Sequence, residues 1–243
     1  LKMETGMNRL GFHEDDFDEL IAILKNNSQV EVRSIFTHLA TADMPEEADY
    51  VNYQLNRFDN SYAIISEALD IKPIKHALNS PGIVAYSDRQ YDMVRLGIGM
   101  YGYSEYTDFM QKYLKPVVRF KTVISQISEI EIGETVSYGR RFTADKHTKI
   151  ATLPLGYADG IRRSLGYGKG KVGINGQLAT ITGTICMDMM MVDVTDIPCK
   201  EGDEVTIFGD SPTIADVTKW LETIPYEVLT SVSHRIKRVY YKE

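Results

Sequence analysis

Near residue 113 the hydrophobic period of the chain changes, and no single regular architecture accommodates both halves. Before that point, apolar residues recur at helical spacing and then in short β-branched runs. Positions 14–26 place Phe17, Leu20, Ile21 and Leu24 on one helical face, and EVRSIFTHLA follows as a short strand. Positions 47–69 repeat the pattern with Val51, Leu55, Phe58, Tyr62, Ile65 and Leu69 in one stripe. IKHALNS and YDMVRLGIGMYG then read as further buried strands. Strands alternating with amphipathic helices predict βα units in a parallel sheet or barrel. Beyond residue 113 the helical period nearly vanishes. VVRFKTVISQISEI, ETVSYGRRFTA, KIATLPLGY, GKVGI, LATITGTICMDMMMVDV and EVTIFG are strand-like, and Asn175-Gly176 is a hairpin turn. One helix interrupts them over 213–222, where Thr213 and Asp216 form a capping box and Ile214, Val217 and Leu221 the apolar face. The expected organisation is an α/β region over 1–113 and a mainly β domain over 114–243.

Composition narrows the partners. A chain of 243 residues with 43% apolar and 25% charged residues can bury a real core. Its net charge of −7 and lack of a Lys/Arg run argue against nucleic acid. No apolar run of about 18 residues occurs, and no signal-like pattern opens the chain, so neither membrane nor export is expected. Cys186 and Cys199 read as free thiols in a reducing cytoplasm.

In parallel α/β units chemistry gathers at the carboxyl ends of strands. His38 closes RSIFTH, Ser80 closes KHALNS, and Arg95 with Gly97 and Gly99 lies in MVRLGIG. Each alone is an ordinary structural residue. Together, a hydroxyl, a glycine-flanked backbone and an arginine at consecutive strand ends suit a phosphate-bearing ligand. In the β half, Tyr138 and Tyr157 each stand beside a glycine, although tyrosine in a strand is most often packing. Asp188 is read within an apolar, methionine-rich strand, where a buried carboxylate needs partners. It either faces outward from an edge strand or orders a neighbouring site.

KMETGMNRLGF, THLATAD, NSPG, VRLGIGMYG, VSYGRRFTA, LPLGYADG and GTICMDMMMVDV, in this order, resemble alanine racemase along essentially the whole chain. The resemblance implies a pyridoxal 5'-phosphate (PLP) enzyme, part of a TIM-like α/β barrel (its later βα units) followed by a mainly β domain. It implies interconversion of L- and D-alanine, supplying D-alanine for peptidoglycan, and a cytoplasmic homodimer whose active sites draw on both chains. Racemisation needs acid/base groups on both faces of the substrate, and PLP supplies an electron sink. By resemblance, Tyr138 is the base of one face, and His38 hydrogen-bonds it, since a tyrosine of ordinary pKa, about 10, needs help near neutrality. Arg95 faces the pyridine nitrogen, where it donates without giving up its proton, so that transamination is suppressed. Ser80, the backbone of Gly97 and Ile98, and Tyr157 belong to the phosphate end. Arg9 holds the substrate carboxylate, Lys2 matches a lysine carbamylated in many relatives and able to orient Arg9, and Met187 and Asp188 reach the partner subunit's pocket.

Two departures shape the expectations. His234 stands where several relatives carry a phosphate-contacting tyrosine. The family's PLP-bearing lysine, in a Lys-Ala-Asn-Ala-Tyr motif, has no counterpart in these residues. The chain is therefore expected to be the C-terminal portion of an alanine racemase, lacking the N-terminal PLP-lysine segment, inactive alone, and with open barrel edges. A racemase of serine or another small amino acid would keep nearly all these residues. A non-catalytic PLP-binding or interaction module would not need Tyr138, Met187 and Asp188 together.

Overall fold

Apolar stripes fold the first segments as their spacing predicts. The computed structural model describes residues 1–104 and 111–241. Helix α1 (Phe17–Lys25) follows a short 3-10 turn and buries Phe17 and Leu20. Helix α2 (Ala48–Leu69) buries Val51, Leu55, Phe58 and Ile65 along its stripe, with Gln54 and Ser61 between them. It ends at Asp70, whose φ of 51° closes the last turn while Ile71 N–H donates back to the Ser66 carbonyl.

The chain divides into two units, Leu1–Lys115 and Pro116–Glu243. In the first, β1 (Ser34–Phe36) and β2 (Ile74–His76) pair in parallel. The start of the chain joins them: Met3 N–H donates to Phe36 O at 2.8 Å and Phe36 N–H to Leu1 O at 2.9 Å. On the other side Arg95 N–H donates to Leu78 O at 3.0 Å. Successive strands thus run side by side with α1 and α2 as their crossovers, and their carboxyl ends collect on one edge. Met3, Ile35, Val51, Leu55, Phe58, Ala77 and Leu78 are fully buried as the core.

In the second unit β3 (Phe120–Val123), β4 (Gln126–Ile130), β7 (Thr148–Leu153), β8 (Lys171–Ile174), β9 (Gln177–Thr182), β10 (Met190–Asp193) and β11 (Glu204–Phe208) form one sheet. Its order is β3-β11-β8-β9-β10-β7-β4, and every pairing is antiparallel. Asn175 and Gly176, at φ 48° and 79°, make the predicted β8–β9 turn. A separate hairpin joins β5 (Thr135–Val136) to β6 (Phe142–Thr143). Helix α4 (Ile214–Leu221) carries the capping box, with Asp216 N–H donating to Thr213 Oγ1 at 3.2 Å and Thr213 N–H to Asp216 Oδ2 at 2.8 Å. Short α3 (Ser80–Ala85) belongs to the first unit, capped by the Asn79 side chain.

Three expectations need correction. MVRLGIGMYG forms no strand: Ile98–Tyr101 is a 3-10 turn, since Gly97 and the positive-φ Gly102 at its ends take backbone angles no strand permits. LATITGTICMDMMMVDV is not one strand but β9 and β10, parted by a loop over 183–189 that starts where Gly183 turns to φ 64°. Asp188 lies on this loop and is exposed, so it needs no buried partner. A second helix, α5 (Pro225–Ser231), also stands in the β half, opened by proline at its first position. Among the described residues no helix is long and apolar enough to cross a membrane.

Candidate active site

The strand ends of the first unit converge on Arg95. Its NH1 donates to His76 Nδ1 at 2.7 Å, and its NH2 lies 2.8 Å from the Thr37 and Ala77 carbonyls and 3.2 Å from His38 Nδ1. An arginine can only donate, so both imidazoles accept at Nδ1 and carry their proton on Nε2. Burial, followed by the nearby Arg95 charge, pushes the buried His76 down to about 4. Burial also lowers His38, helped by Arg95, Arg9 and Lys2. Both rings are therefore neutral near pH 7. His76 stacks on Phe36, centroids 5.0 Å apart, and the Arg95 guanidinium lies 5.2 Å from the same ring. Burial lowers Arg95 itself, but its ordinary value is so high that the charge persists.

Beside this cluster Ser80 Oγ accepts from Gly97 N–H at 2.8 Å and from Gly99 N–H at 3.2 Å. A Cβ on Gly99 would meet the movable tip of Leu96 at 2.8 Å and would stand at ordinary contact distance, 3.6 Å, from Ser80 Oγ. Ile98, between the two donors, is buried and anchors the turn. The convergent N–H groups and hydroxyl suit a phosphate, and Arg95 suits a ring nitrogen acceptor, so this donor set fits PLP.

The opening loop is held from inside. Glu4, only 4% exposed, accepts from Gly6 N–H at 2.6 Å and Arg9 N–H at 3.3 Å. Burial alone would raise its carboxyl, but the backbone donors of Asn8, Gly6 and Arg9, with the Lys2 charge, hold it below the usual range. Tyr50 Oη donates to Gly6 O at 2.7 Å, and Thr5 and Thr37 hydroxyls meet at 2.7 Å. Arg9 is exposed beside a pocket of about 320 Å³ shared with Glu4, Asn8, Leu10, Gly11 and His13. The Lys2 ammonium donates to the Leu10 carbonyl, and burial lowers its pKa.

In the second unit Tyr138 projects from the β5–β6 turn, 75% exposed. The turn is strained: Ser137 stands at φ 67°, ψ −177°, a region that costs a residue other than glycine about 1–3 kcal/mol. Ser137 Oγ donates to Thr184 O at 2.7 Å, and Thr184 Oγ1 returns a bond to Tyr138 O at 2.8 Å. The same 183–189 loop receives Tyr157: Tyr157 N–H donates to Cys186 O at 3.0 Å and Ala158 N–H to Met187 O at 2.9 Å. A Cβ on Gly156 would overlap the loop backbone at Cys186, Met187 and Asp188. Buried Asp159 accepts from Gly156 N–H at 2.9 Å and from Arg235 Nε at 2.6 Å, and its carbonyl accepts from Ser233 N–H at 3.1 Å. Exposed His234 sits within that final segment. Tyr138, Tyr157, Met187, Asp188 and His234 thus share one scaffold.

The family model for the alanine racemase C-terminal domain matches residues 117–240, and that for its N-terminal domain matches residues 1–105. The chain belongs to the alanine racemase family. It is 41% identical to an alanine racemase of Clostridium novyi and 38% identical to one of Helicobacter pylori, with 100% and 99% of the chain aligned. It spans 64% and 66% of their lengths. A crystal structure of alanine racemase from a D-cycloserine-producing Streptomyces lavendulae superposes at a TM-score of 0.92, with 30% identity, 100% of this chain and 66% of that one. One from Bartonella henselae, with covalently bound pyridoxal phosphate, gives 0.87 and 33% identity, covering 99% and 66%. The expectation that the chain lacks the family's N-terminal segment is not supported, because the N-terminal-domain model itself matches residues 1–105.

Within this family's frame, sequence reading missed His76, Glu4 and Thr184. His76 was legible as a polar residue in a buried strand run, but the alternation of β2 could not reveal that Arg95 meets it. Glu4 and Thr184 act through backbone atoms, which leave no mark in a side-chain pattern.

Proposed function

We propose that the protein to which these residues belong is a cytoplasmic, PLP-dependent racemase of alanine. The observation that carries this reading is the Arg95 guanidinium set between two neutral imidazoles beside the Ser80, Gly97 and Gly99 donors, in a chain of this family. Ser80 and the backbone at Gly97 and Ile98 would hold the phosphate, with Tyr157, and Arg95 would donate to the ring nitrogen. PLP, when bound, supplies a sink for the electron pair left on the substrate's α-carbon. Residues 1–113 then act as later βα units of a TIM-like barrel that binds PLP, and residues 114–243 as the β-rich domain.

Arg9 binds the substrate carboxylate, oriented by the loop that Glu4 ties together. The lowered ammonium of Lys2 favours the neutral amine that reacts with carbon dioxide, which supports carbamylation there. Tyr138 Oη takes or returns the α-proton on one face, and His38, neutral with Nδ1 turned to Arg95, keeps its Nε2–H to donate. Met187 and Asp188, exposed at the tip of their loop, serve the partner subunit of a homodimer.

Turnover of L- and D-alanine by the complete protein, compared with serine, tests the substrate. Tyr138→Phe is expected to lower alanine turnover by about 10²-fold or more, and unchanged turnover in both directions would overturn the assignment.

A further inference from the structure

We infer that Thr184 is a positioning residue for Tyr138, so that the loop after β9, not the hairpin carrying the tyrosine, sets where the phenol stands. The inference rests on the acid/base reading of Tyr138 given above.

Tyr138 stands on a weak mount. Strands β5 and β6 are two residues each, so the tyrosine's own hairpin gives it a short footing. Its backbone is also unusual, with positive φ at Ser137, Gly139 and Arg140 (67°, 71° and 50°). Residues persist in such conformations only where their surroundings over-determine them. Here the surroundings are the reciprocal bonds, Ser137 Oγ to Thr184 O and Thr184 Oγ1 to Tyr138 O. The second bond ends on the tyrosine's own carbonyl. Thr184 is 3% exposed, so water does not compete for its hydroxyl. Gly183, at φ 64°, brings the loop in: a Cβ there would lie 3.0 Å from Val136 O and 3.1 Å from Ser137 Cβ. The loop is fixed at its other end by the Tyr157 turn, through the Cys186 and Met187 carbonyls. A displacement of Thr184 therefore acts first on the Tyr138 backbone, while the Cys186 and Met187 end of the loop stays tied to the Tyr157 turn.

The test compares Thr184→Val, Thr184→Ala and Thr184→Ser with Tyr138→Phe in the complete protein, measuring alanine kinetics and tryptic cleavage at Arg140 and Arg141 by mass spectrometry. Thr184→Val and Thr184→Ala are expected to lower kcat about tenfold at little-changed KM, because a misplaced acid/base group costs rate more than binding. Cleavage at the two arginines should quicken, and Thr184→Ser should restore both readouts. If Tyr138→Phe abolishes turnover while the Val and Ala variants keep wild-type kcat and cleavage, the positioning role is overturned. If Tyr138→Phe leaves turnover unchanged, it is the acid/base reading that fails, and the cleavage rates still decide whether Thr184 holds the turn.

Discussion

The two units hold their candidate residues by opposite means. In the first, His38, His76 and Arg95 are drawn in at the ends of parallel strands, and burial tunes them: the arginine stays charged while both imidazoles stay neutral. In the second, Tyr138, Tyr157, Met187 and Asp188 are exposed on turns and loops, and backbone contacts aim them. Side chains are tuned in one unit and placed in the other. The difference follows from architecture, since parallel strands converge on a common edge whereas antiparallel hairpins end in separate tips that must be tied together.

If placement governs the second unit, its backbone contacts should tolerate least. Gly156→Ala is expected to cost about 3 kcal/mol, because the added carbon overlaps main chain in the 186–188 loop, which has no rotamer to yield. Gly99→Ala in the first unit meets only the tip of the Leu96 side chain, and should cost less than about 1 kcal/mol. Urea denaturation of both variants checks the contrast, and equal costs would erase it.

If burial governs the first unit, its stability should carry the signature of His76. A histidine of ordinary pKa 6.5 held at about 4 in the folded state is neutral there while the unfolded chain takes up a proton. Its contribution is complete above pH 6.5 and is lost as pH falls from 6.5 toward 4. Urea midpoints across that window should fall more steeply for the wild type than for His76→Gln, and parallel slopes would argue against a neutral, arginine-bound ring.

The smallest effect sharpens the account of the strained turn. Ser137→Gly relieves a φ worth about 1–3 kcal/mol while losing one hydrogen bond and freeing the unfolded chain, together about 2 kcal/mol of opposite sign. Its thermal midpoint should stay near that of the wild type, whereas Ser137→Ala, which keeps the strain and loses the bond, should melt earlier. Reversal of that order would show that Ser137 is not strained.

Periodicity made the elements legible. The stripes of α1 and α2, the Asn175-Gly176 turn and the Thr213–Asp216 capping box are local properties, written in the spacing of a few residues. The motifs supplied the family and most candidate positions by resemblance. Two misreadings fell where glycine overrode pattern, at Gly97 and Gly102, which turn an apolar run into a 3-10 helix, and at Gly183, which splits a long run into two strands and exposes Asp188; the third is the short helix that Pro225 opens. Sequence by itself determined the segments whose local pattern is strong, the α1 and α2 stripes, the Asn175-Gly176 turn and the capped helix after Thr213. Only the tertiary structure decided that Arg95 meets His76, that Glu4 gathers the Arg9 loop, and that Thr184 holds Tyr138. Those contacts join positions 19, 5 and 46 residues apart, several through backbone atoms common to every residue, so no spacing rule encodes them.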